Sequence, residues 1–313
     1  MNPDQLNAMQ AWLNKTYDQQ RDAQIKLLRA YTNDVYLINS GDRQSILKCY
    51  GVTWRTEPEI HYEVALIEHL VKRGLPTANV IRGKDGQAIY KLKTDKGEQF
   101  AVLFEYAAGE KPQPPFSLDL YVAFGQAIAQ MHSLSDDFVT GYARKPLDLV
   151  AILHAPLELT LPLVDADTRS FLLATAKTVT QKLNDLIPQG LDWGPIHGDA
   201  TLDNLHVTAD NEIVLYDFDS GGLGWRAADL QGWAYNNADY AARWEAFKQG
   251  YASVRELKAV DLEAAPYLAV AWLIWGLEID LGQRILAQGE AKVVEYLAAQ
   301  MAAIREQANL AFN

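Results

Sequence analysis

The chain has 313 residues, 49% of them hydrophobic and 22% charged, with 28 Lys and Arg against 40 Asp and Glu, a net charge of −12, and a single cysteine. The apolar fraction is that of a packed core and excludes disordered and collagen-like classes; one cysteine excludes an intramolecular disulfide scaffold. The acidic balance argues against nonspecific nucleic-acid binding, which needs Lys and Arg to displace counterions from phosphates, and the length suits two domains or one large two-lobed unit.

The first residues, Met1-Asn2-Pro3-Asp4-Gln5, lack the basic start and apolar run of a signal peptide. Residues 266–277 form the longest apolar stretch. It is closed by Glu278 and Asp280 and falls short of the roughly 20 residues a membrane span needs. A soluble, cytoplasmic protein with no membrane partner is expected.

In chain order, Leu6, Met9, Leu13 and Tyr17 stand at helical spacing and predict an amphipathic helix over residues 3–18. Short strands follow at 24–29, 35–39, 44–50 and 100–106, with Ser40-Gly41-Asp42 as a tight hairpin turn. One helix interrupts them. Pro58 lies near its first turn, Ile60, Val64, Ile67 and Val71 make its apolar stripe, and Gly74 and Pro76 stop it. The Gly- and Pro-rich stretch from Ala107 to Pro115 marks a boundary. Beyond it, long helical patterns at 117–134, 166–187, 240–257 and 262–284 surround a strand-like island at 205–217. The expected organisation is α+β: a small antiparallel-sheet lobe over 1–106, a linker over 107–115, and a larger helical lobe over 116–313.

The chemistry gathers around that island. In Ile196-His197-Gly198-Asp199-Ala200-Thr201-Leu202-Asp203-Asn204 a loop presents a carboxylate and, five residues later, an amide. A hairpin-like pair then returns a second carboxylate in Asp217-Phe218-Asp219. Oxygen donors of this kind suit Mg²⁺, which takes one or two carboxylates and fills its shell with water and phosphate oxygens. Asp199 is left to orient a hydroxyl and accept its proton, a division of labour used in phosphoryl transfer.

His-x-Asp followed by Asn five residues on, and then by a strand-borne Asp-Phe, resembles the catalytic and metal loops of the protein-kinase-like fold. The variant His197-Gly198-Asp199 resembles the aminoglycoside phosphotransferase superfamily, with its choline kinases, type II homoserine kinases and a bacterial stress-response protein kinase. The resemblance implies a bilobal fold, ATP and Mg²⁺ as cofactors, Asp199 as catalytic base, and Asn204 and Asp217 as metal ligands. Asp219 stands where protein kinases have Gly, which leaves it either a second metal contact or a local hydrogen-bonding group. His197 is expected to support the structure. Asp229, in Arg226-Ala227-Ala228-Asp229-Leu230, matches the Asp that braces the catalytic loop in the family. His61, His69, His132, His154 and His206 show no metal-ligand spacing with the cysteine.

A kinase of this type needs a phosphate-binding lysine on the third strand and a glutamate partner on the next helix. Lys48 lies in the third strand and Glu63 follows 15 residues later, near the buried stripe of its helix. No glycine-rich phosphate loop precedes Lys48. Thr32 and Asn33, in the turn between the first two strands, are either phosphate-facing groups or ordinary turn residues. Glu105 and Tyr106 resemble the connection whose main chain pairs with adenine, and Gly221-Gly222-Leu223-Gly224 reads as a flexible turn.

Six of the eight tryptophans fall in the C-terminal part, close to the acids Asp239, Glu278 and Asp280. Aromatic faces with carboxylates suit a cationic substrate, which makes Asp239, Trp272, Trp275 and Glu278 candidate substrate residues. Spacing of Trp272 and Trp275 at i and i+3 in an apolar helix fits core packing equally. The expected activity is transfer of the γ-phosphate of ATP to the hydroxyl of a small molecule, an amino-alcohol, homoserine-like or aminoglycoside-like acceptor. A protein Ser/Thr kinase of the stress-response type and a catalytically silent nucleotide-binding module are the alternatives.

Overall fold

A computed structural model describes residues 3–17, 23–230 and 238–312. In chain order its helices and strands are α1 (Pro3–Thr16), β1 (Gln24–Ala30), β2 (Asn33–Ser40), β3 (Arg43–Tyr50), α2 (Glu57–Lys72), β4 (Val80–Ile81), β5 (Ile89–Thr94), β6 (Gly97–Glu105), α3 (Leu118–Leu134), α4 (Ala155–Thr160) and α5 (Ala166–Leu186). They continue with β7 (Trp193–Ile196), β8 (Leu205–Val207), β9 (Ile213–Leu215), β10 (Gly222–Trp225), α6 (Ala227–Leu230), α7 (Ala238–Ala252), α8 (Ala259–Asp280) and α9 (Glu290–Phe312). The chain divides into two compact units. Met1–Lys111, Val139–Ala143 and Leu205–Tyr216 make the first, and Pro112–Phe138, Arg144–Asn204 and Asp217–Asn313 the second.

In the first unit a six-stranded antiparallel sheet runs in the order β1-β2-β3-β6-β4, with β5 also paired to β6. Strand alternation sends Leu47 and Cys49 of β3 to one face, where they pack with Met9 and Leu13 of α1, with Tyr17 just after it, and with Ile38 and Leu103. Leu6 lies 39% exposed and the helix ends at Thr16, so the buried stripe of α1 narrows to Met9 and Leu13, with Tyr17 buried just beyond it. Rings of Trp12, Tyr17 and Tyr90 meet edge to face at 5.7–5.9 Å and close this cluster. Opposite residues of β3, Lys48 and Tyr50, point toward α2. That helix starts where the Thr56 backbone N–H and hydroxyl both donate to Glu59 Oε2, at 3.0 and 2.9 Å, a local lock on its first turn. The hairpin β8–β9, which the sequence reading placed in the helical lobe, belongs to the first unit: Thr77 bridges Leu215 and Glu110 bridges Val207.

The second unit is helical around one short strand pair. α3 and α7 approach closely because each offers a glycine at the crossing: a Cβ on Gly125 would lie 2.1 Å from the Phe247 carbonyl, and one on Gly250 1.9 Å from that of Val122. Strands β7 and β10 pair antiparallel from Trp193↔Trp225 to Ile196↔Gly222. The stretch 221–224, expected to be a flexible turn, is therefore largely strand. Its backbone groups are satisfied by a partner nearly thirty residues upstream, which local sequence does not reveal. The expectation that no stretch reaches the length of a membrane span is also too strict. Among the described residues Ala259–Gln288 is long and apolar enough by length and composition, at mean hydropathy 1.3. That same helix packs on α4, α5, α6 and α9, as a core helix does.

Candidate active site

In the first unit, β3 and α2 hold a buried ion pair. Lys48 is 4% and Glu63 1% exposed, with Nζ and Oε1 3.2 Å apart. The Tyr50 hydroxyl donates to the other carboxylate oxygen at 3.0 Å. Rings of Tyr50 and Phe104 lie 5.5 Å from the ammonium, adding cation–π attraction. Burial makes each charge costly alone, so strand and helix fix each other through this pair.

In the second unit β7 leads directly into the loop of His197, Gly198 and Asp199. Asp229, wholly buried at the end of α6, accepts the backbone N–H groups of His197 at 2.7 Å and Gly198 at 2.8 Å. His132 Nε2 adds a third contact at 3.0 Å. A carboxylate only accepts, so Nε2 carries the proton; Nδ1 then accepts from the Tyr251 hydroxyl at 2.9 Å. Burial alone would raise the Asp229 pKa, but these donors outweigh it and hold the carboxyl below its ordinary range. Burial likewise pushes His132 down and keeps its imidazole neutral. Sequence reading had left His132 unassigned. Its signal was a polar residue on the buried stripe of α3, beside Tyr121, Phe124, Ile128 and Met131, where an unpartnered ring would be costly.

Asp199 emerges from this braced backbone. Asn204 Nδ2 donates both to its Oδ2 at 2.7 Å and to its carbonyl at 2.9 Å, closing the loop. Burial raises the Asp199 pKa above the usual carboxylate range, and the charges of Asp217 and Asp219 add to it against the opposing effects of His197 and Asn204. Such a carboxylate takes up a proton more readily than an exposed one. Asp217 occupies the left-handed region at φ +67°, which Asp tolerates better than most residues. Phe218 packs on the His197 ring, centroids 4.6 Å apart, and Arg144 donates to the Asp219 carbonyl. Phe218 thus ties the Asp-Phe-Asp segment to the Asp199 loop, while Arg144 holds its backbone.

Among the described residues no three His, Cys, Asp or Glu side chains converge as a metal cage. The donor set near Asp199 is of another kind: carboxylates whose charges oppose one another, and an Asn whose amide N–H groups face Asp199, leaving its carbonyl oxygen as a ligand atom. Two carboxylates at most with an amide oxygen fit Mg²⁺, which keeps water and phosphate in the rest of its shell.

The other predicted residues fall as follows. Thr32 and Asn33 are buried, and the Asn33 side chain accepts from the Gly51 N–H at 3.3 Å. Glu105 is exposed and its N–H donates to Asn79 at 2.8 Å. Tyr106 stands 5.5 Å from the His206 ring, and His206 Nδ1 donates to the Ala107 carbonyl at 2.9 Å. Trp272 donates its indole N–H to the Gly198 carbonyl at 2.9 Å and packs edge to face with the buried Trp275 at 5.1 Å. Glu278, further along α8, has its pKa raised by burial, with Lys145 opposing. Asp239 lies in α7, but its side chain, like all of Trp233, lies outside the described residues.

Comparison with known proteins follows this geometry. The profile of the phosphotransferase enzyme family matches residues 24–265. An uncharacterized protein of Deinococcus radiodurans is 33% identical, over 88% of this chain and 82% of that one. Among solved structures of the same fold are the following two. A microcompartment-associated aminopropanol kinase superposes with TM-score 0.78 at 23% identity, covering 97% of this chain and 96% of that one. Amicoumacin kinase, in complex with AMP-PNP, Ca²⁺ and Ami, gives 0.77 at 21% identity over 95% and 92%. The chain belongs to the phosphotransferase enzyme family and has its protein-kinase-like α+β fold; it is a phosphotransferase.

Proposed function

We propose that this member of the phosphotransferase enzyme family transfers the γ-phosphate of ATP to the hydroxyl of a small, amine-bearing alcohol. The observation that carries the reading is the Asp199 carboxylate, oriented by Asn204 and given a raised pKa by burial. Asp199 takes the proton of the acceptor hydroxyl as its oxygen bonds to the γ-phosphorus. The bond from that phosphorus to the β,γ-bridging oxygen breaks, and ADP leaves with the electron pair. Lys48, fixed by Glu63, neutralises phosphate charge. Asn204 and Asp217 would hold a divalent cation, which supplies further positive charge to the phosphate oxygens; Asp219 either joins it or serves through its backbone contact with Arg144. Main-chain groups around Thr32 and Asn33 serve phosphate, and those of Glu105 and Tyr106 serve adenine. His197 and Asp229 support the loop.

Amine recognition is supported by the half-buried Glu278 on α8, one turn beyond Trp275. An ammonium gains from an aromatic face and a half-buried carboxylate together. The aminopropanol and amicoumacin kinases are of like fold. The test is a mass-spectrometric screen of amino-alcohols, homoserine-like hydroxy amino acids and aminoglycosides with ATP and Mg²⁺, using Asp199→Asn as control. Phosphate on an amine-bearing alcohol, absent with the variant, is the expected result. Transfer to proteins alone, or to none of the panel, would overturn the reading.

A further inference from the structure

We infer that Trp272 is a positioning residue for Asp199, acting through the peptide that joins Gly198 to Asp199. The inference rests on the reading of Asp199 as proton acceptor. Gly198 has φ +77°, and a Cβ there would stand 2.4 Å from the Ser220 carbonyl. The close fit demands glycine, and glycine brings rotational freedom to the residue immediately before Asp199. No side chain is present to restrain it, so restraint must come from hydrogen bonds.

Both ends of the following peptide are held. Its carbonyl accepts the Trp272 indole N–H at 2.9 Å, and its N–H, that of Asp199, faces His197 Nδ1 at 3.3 Å. A peptide unit is planar, so gripping its oxygen and its hydrogen sets the direction in which the Asp199 Cα projects its carboxylate. The Gly198 N–H on the other side is held by Asp229 at 2.8 Å. Indole has one donor and no acceptor, and Trp272 spends that donor on the loop. Its neighbour Trp275 is the more buried of the two, at 7% exposure, so the edge of Trp272 does a job distinct from filling the core.

Trp272→Phe keeps an aromatic ring and deletes the donor. Loss of one net hydrogen bond from the aligned state should lower kcat about five- to tenfold, with the acceptor KM and the affinity for Mg·AMP-PNP within about twofold of wild type. A raised acceptor KM at unchanged kcat would overturn the inference in favour of a substrate wall. A lowered melting temperature with unchanged kcat per folded molecule would overturn it in favour of plain packing. A second readout needs no turnover: in protein labelled with ¹⁵N-tryptophan and ¹⁵N backbone, the indole signal assigned to Trp272 by Trp272→Phe, or by Trp272→Tyr if the first variant folds poorly, should exchange slowly. The same substitution should shift the Gly198 and Asp199 amides; fast exchange or unmoved amides would overturn the inference. Should the wild-type protein phosphorylate no acceptor, the functional reading falls, while this spectrum still decides the bond.

Discussion

Lys48 and Asp199 are held in opposite ways. Lys48 is clamped by a side-chain partner on the adjacent helix, so its charge is balanced by Glu63 and both are buried. Among the described residues Asp199 has no comparable cation at the end of its carboxylate; Asn204 orients it, and Asp229 and Trp272 hold the backbone before it. In the first unit the ionised pair contributes to the fold. In the second, burial opposes the ionised carboxylate and raises its pKa. Function and stability should therefore coincide at Lys48 and separate at Asp199.

The sharpest way to break this contrast is Asp199→Asn. Turnover should fall by about 10²–10⁴-fold, the range for loss of a general base, measured as phosphorylated acceptor per enzyme. Thermal stability should rise slightly. For a carboxyl whose folded pKa is raised, the stabilising contribution is complete below the unfolded value and is lost as pH rises through the folded one. The melting temperature of Asp199→Asn should thus exceed that of wild type at neutral pH, and the two should converge below about pH 4.

Lys48→Met should behave differently, losing nucleotide affinity and stability together. It leaves Glu63 buried without its cation, a change that costs about 3–5 kcal/mol; denaturant unfolding with a nucleotide titration reads both. Adding Glu63→Leu should recover much of the stability and none of the nucleotide affinity. Equal stability of Lys48→Met and wild type would show that the pair does not clamp strand to helix.

Asp229→Asn should cost about 1–3 kcal/mol, because a buried acceptor set is left imperfectly matched to three donors. Here the linkage has the opposite sign to Asp199. With its pKa held low, Asp229 contributes fully above the ordinary carboxyl range, and the contribution is lost as pH falls through its folded value. Melting curves of Asp229→Asn and wild type should separate at neutral pH and approach each other in acid. The smallest effect is expected at Cys49, fully buried and with its thiol pKa pushed up to about 12. It lies on the sheet face away from Lys48, so a thiol reagent should label it only through unfolding, at a rate that tracks denaturant.

The readable parts of the site were those set by local spacing. Alternation along β3 was enough to separate Lys48 from Cys49, and the interval from Asp199 to Asn204 fits one loop turn that lets the amide fold back on the carboxylate. Helix α2 announced itself by its apolar stripe and its stop, and α3, α5 and α8 by their helical patterns. α9 went unread although it spans 23 residues, and β7 and β10 went unread because each is short and lacks alternation. Trp272 offered two readings from its spacing, cage or core. The contact it makes, with a carbonyl 74 residues away, belongs to neither.

The sequence by itself determined the chemistry available: a lysine with its glutamate, a carboxylate with its amide, and a second carboxylate on a returning strand. It did so because those pairs are separated by a strand, a turn or a hairpin, distances over which local geometry fixes relative position. Only the tertiary structure decided how the Asp199 loop is held. Asp229 is marked in the sequence by its place in the family resemblance, but His132 and Tyr251, which support it, and Trp272, which grips the Gly198 carbonyl, come from helices far apart in the chain, and packing between those helices, rather than any local pattern, brings them to the loop.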